Sequence, residues 1–312
     1  HRRGAVSAAA GSASRQGGLA ETAVALLRSM RPRQWPKNAV VLAGLVFALE
    51  MDEPQQVLRA GVATLLFCLL SGAVYLVNDL VDMEKDRLHP VKRRRPLASG
   101  RLSPAFAAVA AAGLVGGGLL AALALSPAFA AVALGYLALQ GLYVAALKHA
   151  VLLDVLALAA GFVLRAVAGA VAVAVPISPW LYVCTLLLAL FLALGKRRQE
   201  LLLLHAGAAE HRPALEQYTV PLLDHLLQVV TTALLLAYML YTVFAETLLH
   251  HQGMLLTIPF VLYGLFRYLY LVHARGEGGS PEEVLLRDRP MAACVLLWAA
   301  AAVLTLYFMP RT

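Results

Sequence analysis

The sequence predicts an all-α, polytopic membrane protein with nine transmembrane helices. Three observations predict it. Of 312 residues, 61% are apolar and 14% charged, against about 25% charged in soluble domains. The apolar runs are long, continuous and poor in β-branched pairs, which favours helices over barrel strands. The basic residues collect in alternate connections. Disorder, a disulfide scaffold and nearly all soluble folds are excluded.

The elements follow in order. Residues 1–18, rich in Ala, Gly, Ser and Arg, are expected to form a disordered tail, and residues 19–312 a single transmembrane domain. The chain opens on His1 rather than Met, which reads as a processed or truncated start. No secretory apolar core follows the first arginines, so the first span is expected to direct its own insertion. Residues 20–31 form a weak amphipathic pattern suited to the membrane surface. Nine candidate spans follow a polar break at Arg31–Lys37: about 38–50, 55–82, 104–125, 128–147, 151–174, 179–197, 222–246, 254–273 and 290–309. The first is short. Ser103 and Pro104 open the third as N-cap and first helical residue.

Loop charge tests this map. Residues 28–37, 85–101, 148, 196–212 and 275–289 hold nineteen Lys and Arg, and the alternate connections hold only Arg311. The first set is therefore expected in the cytoplasm, with the N-terminus inside and the C-terminus outside. The formal net charge of +8 follows from this bias and from an anionic, phosphate-bearing ligand, and no nucleic acid is expected. Cys68, Cys184 and Cys294 lie within apolar runs without CxxC spacing and read as packing residues. The polar chemistry is one-sided, which suits an enzyme open to the cytosol and the lipid. A transporter needs polar groups through both leaflets.

The second span ends Asn78-Asp79-Leu80-Val81-Asp82-Met83-Glu84-Lys85-Asp86-Arg87. Asn78, Asp79, Asp82 and Asp86 are three and four residues apart and share one helical face. Three carboxylates so placed repel one another unless a cation sits between them, and hard oxygen ligands without His or Cys point to Mg²⁺. Asp79, Asp82 and Asp86 are thus the expected metal ligands and catalytic acids. A solvated helix end neutralised by Lys85 and Arg87 is the plainer alternative. A basic run follows, His89-Pro90-Val91-Lys92-Arg93-Arg94-Arg95-Pro96, then Arg101. Acids that hold metal beside such a run suit a diphosphate, although inside-positive anchoring explains single members of it.

These residues resemble the UbiA superfamily of intramembrane prenyltransferases, whose first aspartate-rich motif has the form NDxxDxxxD. The resemblance implies nine helices around a central cavity open to the lipid. A finer similarity is to the decaprenyl-phosphate phosphoribosyltransferase branch. It is carried by Arg31-Pro32-x-Gln34-Trp35-x-Lys37-Asn38, Ser71-Gly72-x-x-Tyr75-x-x-Asn78-Asp79 and Asp86-Arg87-x-His89-Pro90-x-Lys92-x-x-Arg95-Pro96. Leu147-Lys148, Asp154, Gly161-Phe162-x-Leu164-Arg165, Lys196-Arg197-Arg198-x-Glu200 and Glu283-Val284-Leu285-Leu286-x-Asp288 continue it.

It implies Mg²⁺, phosphoribosyl diphosphate as donor, a polyprenyl (decaprenyl) phosphate as acceptor, and a product that feeds cell-wall arabinan synthesis at a bacterial inner membrane. The substrate-binding residues implied are Lys37, Asn78, Arg87, His89, Lys92, Arg95, Lys148, Asp154, Arg165, Lys196, Arg197 and Glu200. Prenyl-diphosphate members carry a second acidic motif where this chain reads Gly195-Lys196-Arg197-Arg198-Gln199-Glu200. Cations there fit a substrate with an additional phosphate. Transfer of a prenyl chain from its diphosphate to an aromatic acceptor is the competing reading, and a non-enzymatic transporter a remote one. A homo-oligomer is compatible with the sequence.

Arg165 lies roughly 20 Å into the fifth span at about 1.5 Å per residue, where an arginine needs a partner or water. It is expected to face the cavity and bind phosphate, the alternative being an ion pair with another helix. Asp154, eleven residues earlier, faces the same way. Gly161 and Gly169 permit close helix approach. Lys148 is expected to contact phosphate. Tyr75 and Tyr143 suit either the cavity or the core, and the remaining histidines carry no assigned role.

Overall fold

The computed structural model describes residues 18, 20–205, 214–245, 252–275, 284 and 287–308, all helix, turn or connection without a strand among them. The expected tail therefore lies outside the described residues except for Gly18, as do Glu283, Leu285 and Leu286. Residues 20–29 form α1, and a 3₁₀ stretch, Pro32–Leu42, leads into the short α2, Ala43–Phe47. Then come α3 (Pro54–Val81), α4 (Met83–Leu88), α5 (Pro104–Leu125), α6 (Pro127–Ala145), α7 (Leu153–Ala172), α8 (Pro179–His205), α9 (Val220–Phe244), α10 (Ile258–Tyr270) and α11 (Arg289–Tyr307). Eight segments among the described residues are long and apolar enough to cross a membrane: α3, α5 to α9, Gly253–Arg275 around α10, and α11.

Two of the predicted spans differ from expectation. The first, 38–50, is not one regular long helix. Pro36 lies inside the 3₁₀ stretch, and the chain then presses backbone to backbone on α7. A Cβ on Gly169 would lie 1.8 Å from the Val41 carbonyl oxygen, and one on Gly44 2.6 Å from the Ala170 nitrogen. Only glycine permits this approach. The sixth predicted span runs past 197, because α8 continues to His205. The Lys196–Glu200 segment is thus helical, with Arg197 and Lys196 paired to Glu200 at i,i+3 and i,i+4 spacing.

The chain forms two compact units: the described residues up to Asn38 with Leu65–Ala130, and Ala39–Thr64 with the described residues from Ala131 onward. In the first unit, Ala25 of α1 and Met30 just after it pack with Leu76, Leu97, Leu102, Ala107 and Ala111. Leu97 and Leu102 are buried in the connection between α4 and α5 and pin the basic run from beneath. The Ser103 hydroxyl accepts the Phe106 N–H at 3.1 Å, as the sequence predicts for the start of α5. In the second unit, Val155, Phe191, Leu194, Leu201, Leu223, Leu227, Leu265 and Tyr268 form the main core of α7 to α10.

Candidate active site

The first cluster lies within the first unit. The helical hydrogen bonds run on across the break at Asp82, whose N–H donates to the Asn78 carbonyl and whose carbonyl accepts the Asp86 N–H, both at 2.9 Å. The predicted register of Asp79, Asp82 and Asp86 therefore survives the change from α3 to α4. Asp79 and Asp86 are buried and Asp82 is half-buried. Arg95 Nη1 donates to Asp79 Oδ1 at 3.1 Å and to Asp86 Oδ2 at 2.6 Å, and Arg31 Nη2 donates to Asp79 Oδ1 at 2.5 Å. Arg31 also stacks over the Tyr75 ring at 4.7 Å.

Local structure aims Arg95. His89 Nδ1 accepts the N–H groups of Val91 and Lys92, each at 3.1 Å, and so caps the turn Lys92–Arg94. The Arg95 N–H closes that turn onto the Lys92 carbonyl at 2.9 Å. The exposed Arg87 donates to Glu84 at 2.7 Å rather than to the buried acids. Asn78 and Lys92 are half-buried, as is Lys37 on the 3₁₀ stretch.

Among the described residues, no three His, Cys, Asp or Glu side chains converge as a ready metal site. The donor chemistry nevertheless fits Mg²⁺. Two carboxylates about two helical turns apart meet at one guanidinium nitrogen, and their oxygens are the hard ligands that ion takes. Arg31 and Arg95 are the counter-charges of these carboxylates.

The second cluster lies within the second unit. Asp154, in the first turn of α7, accepts Arg197 Nε on Oδ2 at 2.5 Å and the Tyr218 hydroxyl on Oδ1 at 2.7 Å. Arg197 Nη1 donates to Glu200, and Nη2 to the Tyr143 hydroxyl at 3.3 Å. Asp154, Arg197 and Tyr218 are each buried. Lys196 Nζ is 3.9 Å from Glu200 and keeps 38% of its side chain exposed, so it is the more accessible cation of α8.

Arg165 stands apart from the second cluster. Arg165 is eleven residues beyond Asp154 on α7, roughly 16 Å along the axis. Buried, it donates to the Gly161 carbonyl and the Tyr136 hydroxyl, each at 2.9 Å, and lies 4.8 Å and 5.2 Å from the Tyr136 and Phe162 ring centres. Ring faces and a carbonyl thus surround this intramembrane cation. Lys148 is half-buried on the 3₁₀ turn Leu147–His149, ahead of α7 rather than at its start.

Sequence reasoning missed Arg31 and Tyr218 as site members. Arg31 does stand in the polar break, but its partner is 48 positions away. It also missed two further ion pairs. Arg198 Nε donates to Asp224 Oδ1 at 2.6 Å, which His273 Nε2 also approaches at 3.1 Å. Arg267 binds both oxygens of Asp288 at 3.2 and 2.7 Å, while Asp288 caps α11 by accepting the Met291 N–H at 2.9 Å. The Arg267 hydrogen bonds, helped by the Met291 N–H, hold the Asp288 carboxyl below the usual carboxylate range.

The chain is thus an all-helical membrane protein with an acid-rich helix end and a buried arginine held by acids. The chain belongs to the UbiA prenyltransferase family, whose model matches residues 39–285. It is 35% identical over 297 residues to the decaprenyl-phosphate phosphoribosyltransferase of Mycolicibacterium smegmatis, covering 91% of this chain and 92% of that one. It is 34% identical over 292 residues to the protein of that name from Corynebacterium glutamicum, covering 91% and 87%. The fold is also that of a UbiA homolog from Archaeoglobus fulgidus bound to DMAPP and Mg²⁺, with a TM-score of 0.69 over 91% of this chain and 99% of that one, at 18% identity.

Proposed function

We propose that this enzyme transfers a 5-phosphoribosyl group from phosphoribosyl diphosphate to a polyprenyl phosphate, releases pyrophosphate, and so supplies a precursor of cell-wall arabinan. The observation that carries this reading is the chemistry of residues 196–200. Three cations and one acid stand there, and the acid is bound by Arg197. That set suits a phosphate group better than a second carboxylate-held metal. The names of the two bacterial relatives support a phosphoribosyl group as the group transferred and decaprenyl phosphate as its acceptor.

In this reading the C1–O bond to the diphosphate breaks, and pyrophosphate leaves with the electron pair. An oxygen of the acceptor phosphate forms the new bond to C1. A phosphate monoester is mostly dianionic at neutral pH, with a second pKa of about 6, so the acceptor needs no strong general base. Mg²⁺ would be held by Asp79, Asp82 and Asp86, and when bound it supplies charge neutralisation for the departing pyrophosphate. Arg95 and Arg31, freed from the acids, would turn to diphosphate oxygens together with Lys92 and Arg87. Lys196 would take a substrate phosphate with Arg197 fixed beside it, and Lys148 and Arg165 remain candidate phosphate contacts. The basic connections support a site on the cytoplasmic side, with the N-terminus in and the C-terminus out, and the reading takes the membrane to be a bacterial inner membrane.

Purified protein in liposomes, given Mg²⁺, polyprenyl phosphate and ribose-labelled phosphoribosyl diphosphate, tests the proposal. Label is expected in a lipid-extractable, acid-labile product, and EDTA abolishes it. Absence of such transfer, with turnover of a prenyl diphosphate and an aromatic acceptor instead, would overturn it.

A further inference from the structure

Tyr218 reaches the second cluster from the connection before α9. Its backbone is fixed on both sides. The 3₁₀ turn Leu215–Gln217 closes onto it, its N–H donating to the Leu215 carbonyl at 3.2 Å. Thr219 then caps α9 by accepting the Leu222 N–H at 3.3 Å. The hydroxyl is thus delivered from an ordered segment, and both its hydrogen-bonding roles are in use. It donates to Asp154 Oδ1 at 2.7 Å and accepts the Leu152 N–H at 2.8 Å. Burial and the hydrogen bond to Asp154 push the phenol above its usual range, so it stays a donor throughout the physiological span.

The two contacts do different work. Leu152 has φ +67° and ψ −40°, a conformation that a side chain with a Cβ disfavours, and it immediately precedes α7. The N–H bond from Leu152 holds that strained turn. The bond to Asp154 occupies one carboxylate oxygen, which leaves the other for Arg197 Nε at 2.5 Å. With Glu200 and Tyr143 on its two terminal nitrogens, Arg197 has one orientation.

We infer that Tyr218 is a positioning residue: by fixing the Asp154 carboxylate it sets the orientation of Arg197, and through Arg197 the binding of a substrate phosphate. The substrate part rests on the function proposed above. The orientation part does not.

The test separates the two contacts. Tyr218→Phe removes both, and Leu152→Gly lets the turn adopt its positive φ without strain. Protein labelled with ¹⁵N on arginine is placed in nanodiscs, and the Arg197 Nε–H signal is identified as the one lost in Arg197→Lys. In Tyr218→Phe this signal is expected to shift or broaden. The KM for one phosphate substrate should rise about tenfold, the scale of one hydrogen bond to a charged group, while kcat changes little. Addition of Leu152→Gly should leave both defects in place. Where Tyr218→Phe alone does not fold, the double variant, relieved of the strained turn, carries the same readings. Wild-type signal and KM in Tyr218→Phe, or their return in the double variant, would overturn the inference, since Tyr218 would then serve the backbone alone. If the wild-type protein transfers no phosphoribosyl group, the proposed function falls, and the Arg197 signal still decides the role of Tyr218.

Discussion

The two charge clusters differ in how their charges are neutralised. In the first, Asp79 is only 2% exposed, while its partners Arg31 and Arg95 keep 29% and 25% of their side chains in contact with solvent. Under the proposed function these arginines would leave for another anion as a metal took their place. In the second, Asp154 and Arg197 are 1% and 3% exposed, and tyrosines and Glu200 fill their remaining positions. That pair has nowhere to go. One cluster pairs its acids with partly exposed cations, and the other pairs a buried acid with a buried cation.

Several changes would break or sharpen this contrast. The largest effect is expected from Arg197→Met, which strands a buried carboxylate. Loss of one member of a buried pair costs about 3–5 kcal/mol, so thermal unfolding in detergent should shift down markedly. Arg31→Met should shift it much less, because Arg95 still neutralises Asp79. Equal losses in the two variants would erase the contrast.

Asp82→Asn is expected to lower turnover about 10²–10³-fold, as the loss of one electrostatic stabiliser does, with the melting temperature little changed. Near-normal turnover would remove Asp82 from the metal set. A subtler effect is expected of Arg31→Gln in the absence of substrate. Removal of a competing cation should strengthen Mg²⁺ binding, read as a larger stabilisation by Mg²⁺ at a fixed concentration.

The smallest effect serves as a reference outside both clusters. The Asp288 carboxyl is held below its unfolded value by Arg267. Its contribution is therefore present above the unfolded pKa of about 3.9 and is lost as pH falls through the lower folded value. Asp288→Asn should flatten the acid limb of the stability curve and leave the neutral-pH profile of turnover unchanged.

Much of this was legible from local pattern. The helical membrane class, the start of α5 and the shared face of Asp79, Asp82 and Asp86 depend on spacing within a few turns. The partners did not emerge, because they are remote in sequence: Arg31 from Asp79 by 48 positions, Arg197 from Asp154 by 43, and Tyr218 from Asp154 by 64. A tyrosine in a connection gives no local sign that its hydroxyl will meet a helix start. The irregular first segment was hidden for a related reason. Gly169 was expected to permit close helix approach, but nothing local marked Val41 and Gly44 as the segment that packs against α7 there. Nor does the spacing around His89 announce that its Nδ1 caps the turn that aims Arg95.

Binding of pyrophosphate to detergent-solubilised protein, with Mg²⁺ or EDTA, tests the central claim most directly. The exchange of arginine for metal at the acidic cluster predicts binding that requires Mg²⁺ and is lost in Asp82→Asn. It should survive in Tyr218→Phe, which leaves the acidic cluster intact. Binding that is equal in EDTA, or unchanged in Asp82→Asn, would contradict it.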